Sequence, residues 1–157
     1  MFQFNFIISS LIVVLSLLGL ANAFYFTLAY YGRIKKARWV PEILCAREDS
    51  SCVTVVQTPY ARVFGVPNSL LGIVYYFLLI LWSFKDEVIP LDVPFRGTYH
   101  AVGDPIYILI VASFITVLLG FYLIYALRRK LHTHCPLCYL GHAINASLFV
   151  LLILIIW

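Results

Sequence analysis

Two cysteine pairs are the residues best suited to chemistry. Cys135-Pro136-Leu137-Cys138 opens the last apolar run of the chain, and Cys45 and Cys52 stand seven residues apart after the first. A Cys-x-x-Cys at a helix start suits thiol–disulfide exchange. Pro136 fits the first helical turn, where its missing N–H costs nothing. The positive end of the helix dipole favours a thiolate there, and a thiolate passes oxidation onward by attacking a disulfide sulfur. Even cysteine counts also mark structural staples, but those belong to small secreted chains without cores. Arg47, between the loop cysteines, is placed to stabilise a neighbouring thiolate or simply to stay solvated.

Polar residues continue along the same helical face. Cys135, Cys138, His142 and Asn145 step by three, four and three, so they form one stripe. Asn68, Gly72 and Tyr75 or Tyr76 form a second. A polar stripe facing lipid is costly, so both are expected to face an interior. Ordinary packing through small and amide residues is the plainer reading of each stripe. Beside a thiol pair, the combined set better fits a pocket for an apolar electron acceptor soluble in the membrane, which a quinone is. A metal centre is the rival use: His132, His134, Cys135 and Cys138 fall within seven residues, and zinc accepts two His and two Cys.

These residues need elements to hold them. Of 157 residues, 63% are apolar and only 11% are charged, with mean hydropathy +0.97. Soluble domains carry about 25% charged residues, so a soluble enzyme, a disordered tail and a nucleic-acid module are excluded. No Asp, Glu, Lys or Arg occurs in 1–32, 63–84, 105–127 or 131–157. Each run exceeds the roughly 20 residues a helix needs to cross the hydrocarbon, and continuous apolar runs indicate helices, not barrel strands. The expected fold is all-α, one integral membrane domain: a four-helix bundle with spans near 5–31, 66–84, 105–127 and 135–157. A long Cys-bearing loop joins helices one and two. Ala21-Asn22-Ala23 resembles a signal-peptidase site, but the apolar run continues to Tyr31 without a preceding positive charge, so an anchored helix is expected.

Charge sets the expected orientation. The first loop holds Arg33, Lys35, Lys36, Arg38, Arg47 and Arg62, and the third holds Arg128, Arg129 and Lys130. The second holds only Lys85 and Arg96. Nine basic residues against two place the first and third loops, with all four cysteines, on the cytoplasmic side of the cell membrane.

The arrangement resembles the vitamin K epoxide reductase family, including its prokaryotic disulfide-generating members. The resemblance rests on Cys45 and Cys52 after span one, on Phe64-Gly65-Val66-Pro67-Asn68-Ser69-Leu70-Leu71-Gly72 at the start of span two, and on Cys135-Pro136-Leu137-Cys138 with Ala143-Ile144-Asn145 on span four. It implies a helix bundle around a quinone of menaquinone or ubiquinone type, drawn from the membrane pool. It further implies that Cys45 exchanges with a separate thioredoxin-like dithiol protein, that Cys52 pairs transiently with Cys135, and that Cys138 reacts at the quinone. Asn68 would bond a quinone carbonyl, and Thr58 stands where the family has a Ser. Gly72, Tyr76, His142 and Asn145 complete the expected contacts. His142 replaces the Tyr of the vitamin K enzymes, which suits a plain quinone reductase. The family includes prokaryotic members proposed to be inverted, and cytosolic disulfides abound in hyperthermophilic archaea. A cytoplasmic thioredoxin-like partner in such an organism is therefore the expectation.

Overall fold

The computed structural model describes residues 2–33, 51–63, 65–88 and 105–156. Helix α1 runs Phe2–Tyr30, a short α2 Ser51–Gln57, α3 Asn68–Val88, α4 Pro105–Arg129 and α5 Pro136–Ile156. A single 3-10 turn (Pro59–Ala61) and a minimal hairpin, β1 (Arg62–Val63) and β2 (Val66–Pro67), connect α2 to α3. Its register pairs Arg62 with Pro67 and Val63 with Val66. Gly65 takes φ +82 at the bend, which suits a residue without Cβ.

Each apolar run folds as a helix, because within hydrocarbon a helix satisfies its own backbone groups. Three are long and apolar enough to cross a membrane: Ile7–Tyr30, Ile106–Arg129 and Pro136–Ile156, with mean hydropathy 2.3, 2.5 and 2.1. The apolar part of α3 is shorter, Asn68–Phe84, because Lys85 follows it. The outward faces are apolar. Ile108 and Phe121 are each 67% exposed, an arrangement that would precipitate in water and suits lipid.

Helix ends are closed by local chemistry. At the end of α1, the Arg33 N–H bonds the Leu28 carbonyl (3.0 Å) and the Gly32 N–H bonds that of Ala29 (3.1 Å). With Gly32 at φ +68 this is a Schellman motif, which satisfies carbonyls that would otherwise be orphaned. Helix α4 ends with Arg128 and Arg129, favourable to its dipole. The chain then turns through His132 at φ 48, and Thr133 N–H reaches back 3.1 Å to the Leu127 carbonyl.

Helix α1 packs on α2, α3 and α5, and α4 packs on α5. One core cluster joins Ile12, Tyr75, Tyr76, Leu79, Leu109, Ile144, Leu148 and Leu152. A second, nearer the cysteines, joins Tyr25, Phe26, Ala29, Val56, Leu127 and Cys135. The expectation of a plain loop between helices one and two needs correction, since α2, the 3-10 turn and the hairpin occupy its second half. Val55 and Val56 are β-branched and not strong helix formers, but as a helix they pack on the second cluster. Tertiary burial overrides propensity there. The remainder of that loop (34–50) and most of the next (89–104) lie outside the described residues.

Close approach of α1 to α3 depends on Gly19. A Cβ built there runs into the Tyr76 ring, 2.9 Å from Cε2. Gly19→Ala is expected to displace that ring and to destabilise the protein by about 1–3 kcal/mol, the usual cost of overpacking. Thermal unfolding in detergent would show it as a lowered midpoint; an unchanged midpoint would mean that the ring moves freely.

Candidate functional site

Cys135 and Cys138 form a disulfide at the start of α5. Cys135 is the residue before Pro136 and acts as the helix cap. Its carbonyl accepts the N–H groups of Cys138 (3.1 Å) and Tyr139 (3.2 Å). Its Sγ also lies 3.3 Å from the Cys138 nitrogen and accepts that N–H, as a Ser or Asp oxygen does in an ordinary cap. A backbone N–H and the helix dipole thus both favour negative charge on this sulfur. Cys135 is 0% exposed, packed among Tyr25, Phe26, Val56 and Leu127.

Cys138 packs against the same cluster but is only partly buried, and it also meets open space. It lines a cavity of about 200 Å³ between the two core clusters, walled by all five helices and by the 3-10 turn. Asn68, Gly72, Tyr76, His142 and Asn145 line the same space, and so does Thr58. The structure therefore brings the expected cofactor contacts and one cysteine of the pair to one cavity. Apolar cavities of about 150 Å³ hold a benzene ring, so this one has room for a quinone head group.

The polar atoms of the wall divide into satisfied and unsatisfied ones. Tyr76 Oη donates to Asn145 Oδ1 (2.7 Å), and the Tyr75 and Ser113 hydroxyls meet at 2.8 Å. Thr58 gives its O–H to the Val55 carbonyl (2.7 Å), so toward the cavity it can only accept. Asn22 Oδ1, Asn68 Oδ1 and His142 Nδ1 are buried without a partner among the described residues. An unmade buried hydrogen bond costs about 1–3 kcal/mol, and all three atoms belong to residues that line this cavity; a ligand bearing hydrogen-bonding oxygens that drew them toward it would relieve that cost. Each Asn amide offers a donor and an acceptor, which fits a carbonyl and equally the hydroxyl that replaces it on reduction. A quinone fits the residues present.

Sequence reasoning missed four residues of this wall. Gly120 faces His142, where a built Cβ would stand 2.9 Å from Nδ1; Gly141 faces Asn22, 2.8 Å from Nδ2. With Gly19 under Tyr76, three helices give way so that three polar side chains can sit in the interior. Gly72, by contrast, would meet only ordinary contacts, 3.5 Å to Ala23 Cβ. The fourth is Asn22 itself, read only as part of Ala21-Asn22-Ala23, although an amide within a span carries the signal of cost.

Other expected residues lie elsewhere. Cys45 is outside the described residues, and Cys52 is placed by its backbone alone, in α2 one turn before Val55 and Val56. His132 and His134 are exposed, with the Tyr139 hydroxyl 3.3 Å from His134 Nδ1 and the Arg128 guanidinium over the Tyr139 ring. Among the described residues no three His, Cys, Asp or Glu converge as metal ligands. The two cysteines of the rival zinc set are bonded to each other. The metal reading gains no support.

After mild reduction, a small apolar maleimide is expected to label Cys138 through the cavity about 10-fold faster than Cys135, because reactivity follows access. Peptide mass spectrometry would measure the ratio, and equal labelling would place both sulfurs in one environment.

Compared with curated proteins one by one, the chain matches none. Compared with protein families, residues 10–153 match the vitamin K epoxide reductase family, nearly the whole chain. The chain belongs to that family, whose membership implies a membrane redox enzyme working between thiols and quinone.

Proposed function

We propose that this protein generates protein disulfides, oxidising a thioredoxin-like dithiol partner and delivering its two electrons to a menaquinone or ubiquinone. The observation that carries this reading is the placement of Cys138: bonded to Cys135 at a helix N-terminus, and on the wall of a cavity with three unpartnered polar atoms. In this reading α1, α3, α4 and α5 are four membrane spans forming a bundle. The apolar part of α3, 17 residues, reaches roughly 26 Å at 1.5 Å per residue, close to the hydrocarbon thickness.

The chain's own residues act as a relay. The partner's dithiol reduces the Cys45–Cys52 disulfide by exchange at Cys45 and leaves as a disulfide. The Cys52 thiolate then attacks Cys135, and Cys138 leaves as a thiolate at the cavity. Cys45 attacks Cys52, which restores the loop disulfide and frees Cys135. Cys138 gives up two electrons and the Cys135–Cys138 disulfide re-forms. A bound quinone supplies the sink, taking two electrons and two protons. Asn68 and His142 would hold its oxygens, and Thr58, Gly72, Tyr76 and Asn145 line the same space. In this relay Cys52 reaches Cys135 from α2; the reading is supported by Val55 and Val56, one turn along α2, which pack in the cluster that buries Cys135.

The cytoplasmic orientation follows from nine basic residues against two. Labelling of Cys45 by a membrane-impermeant thiol reagent in intact, reduced cells would overturn it; labelling only after lysis is expected.

The relay is tested by following quinone absorbance with purified protein and a reduced thioredoxin-like donor. Wild type is expected to consume quinone and Cys138→Ala to stay at background. Cys45→Ala is expected to fail with the protein donor but to retain turnover with dithiothreitol. No quinone consumption by wild type with either donor would sink the proposal. Gly120→Ala, which crowds His142, is expected to raise the quinone KM about 10-fold, since small misplacements at a site are costly, while thiol exchange with the partner continues.

A further inference from the structure

Asn22 lies on α1, 115 residues before Leu137, yet its Nδ2 donates to the Leu137 carbonyl at 3.2 Å. Leu137 sits between the two cysteines of the pair. That bond is the only one the amide makes among the described residues, since Oδ1 is buried without a partner. An amide within a span is expensive to keep, and here its N–H is spent on the redox turn. Gly141 makes the approach possible, because a Cβ there would stand 2.8 Å from Nδ2.

From this geometry we infer that Asn22 is a positioning residue for the Cys135–Cys138 pair: it clamps the peptide between the two sulfurs to α1. The clamp matters most when the pair is reduced. With the disulfide open, the first turn of α5 loses its covalent tie, and the Asn22 bond keeps Leu137, and with it the Cys138 backbone, against the cavity. A turn held in its closed shape keeps the two thiols ready to re-form their bond, so the clamp favours the oxidised pair. The inference takes the pair as redox-active, as in the proposed function, but it needs no quinone.

Its test is the equilibrium of the pair with glutathione, in full-length protein carrying Cys45→Ala and Cys52→Ala so that only one couple is read. Two glutathione thiols become one glutathione disulfide as Cys135–Cys138 becomes two thiols, and maleimide mass shifts count the products. Asn22→Leu, which removes the donor and keeps the bulk, is expected to make the pair roughly 3- to 10-fold easier to reduce, the scale of one hydrogen bond. Gly141→Ala is expected to act in the same direction by expelling the amide. In a double-mutant cycle, Gly141→Ala added to Asn22→Ala is expected to cause no further shift, because the space is then free. An unchanged equilibrium in Asn22→Leu, or additive effects in the cycle, would overturn the clamp. Asn22→Ala reads the same equilibrium should Asn22→Leu not fold. Quinone turnover of wild type is scored separately, so loss of the quinone reading and loss of the clamp give different results.

Discussion

A polar atom in hydrocarbon has no water to fall back on, and the interior of this protein is organised by that constraint. The backbone meets it by helix formation, which pairs nearly every N–H and C=O within its own segment. Side chains meet it in pairs: Tyr76 with Asn145, Tyr75 with Ser113, Thr27 with the Ala23 carbonyl. What remains unpaired is concentrated. Of four buried side-chain atoms without partners among the described residues, three belong to residues on one cavity wall, Asn22, Asn68 and His142. In a medium where such atoms are costly, their clustering beside a cysteine is the strongest physical pointer to a bound, oxygen-bearing ligand.

The same constraint explains the glycines. Polar side chains can occupy the interior only if the facing helix yields room, and room between helices is made by omitting a Cβ. Gly19 admits the Tyr76 ring, Gly120 admits His142 and Gly141 admits Asn22. Each glycine sits on a different helix from the side chain it accommodates. The cavity is therefore a property of pairs across interfaces, and helix packing and site construction are one problem.

This is also why the sequence discloses some parts and hides others. Charge-free runs announce helices, and Cys135-Pro136-Leu137-Cys138 announces a cap, because both signals are local and their physics acts along one segment. The stripe through Cys138, His142 and Asn145 was legible too, since helical spacing alone puts those residues on one face, and Asn68 and Tyr76 were reachable by the same rule. Asn22 was not recognised, because its meaning depends on Leu137 and Gly141, 115 and 119 positions away. Helix α2 is hidden in the sequence, because its β-branched run gains helical form from the cluster it covers. Gly72 drew attention as a small residue on a polar stripe, whereas the positions without room for a side chain are three other glycines.

The cysteine pair stands where the second core cluster borders the cavity: Cys135 is buried within the cluster, and Cys138 packs against it while also lining the cavity. Cys135 packs with Val56 of α2 in the second core cluster. Cys138, three residues on and one turn deeper, lines the cavity. A helix turn advances about 5.4 Å, which is enough to move a sulfur from one compartment to the other while leaving the two within bonding reach. In the proposed relay, an exchanging loop and a membrane-soluble acceptor need never meet, because the covalent bond between Cys135 and Cys138 spans the gap. In that relay the first turn of α5 must hold its shape through every opening of the bond, and the Asn22 amide from α1, bonded to the Leu137 carbonyl, stands where it can hold it.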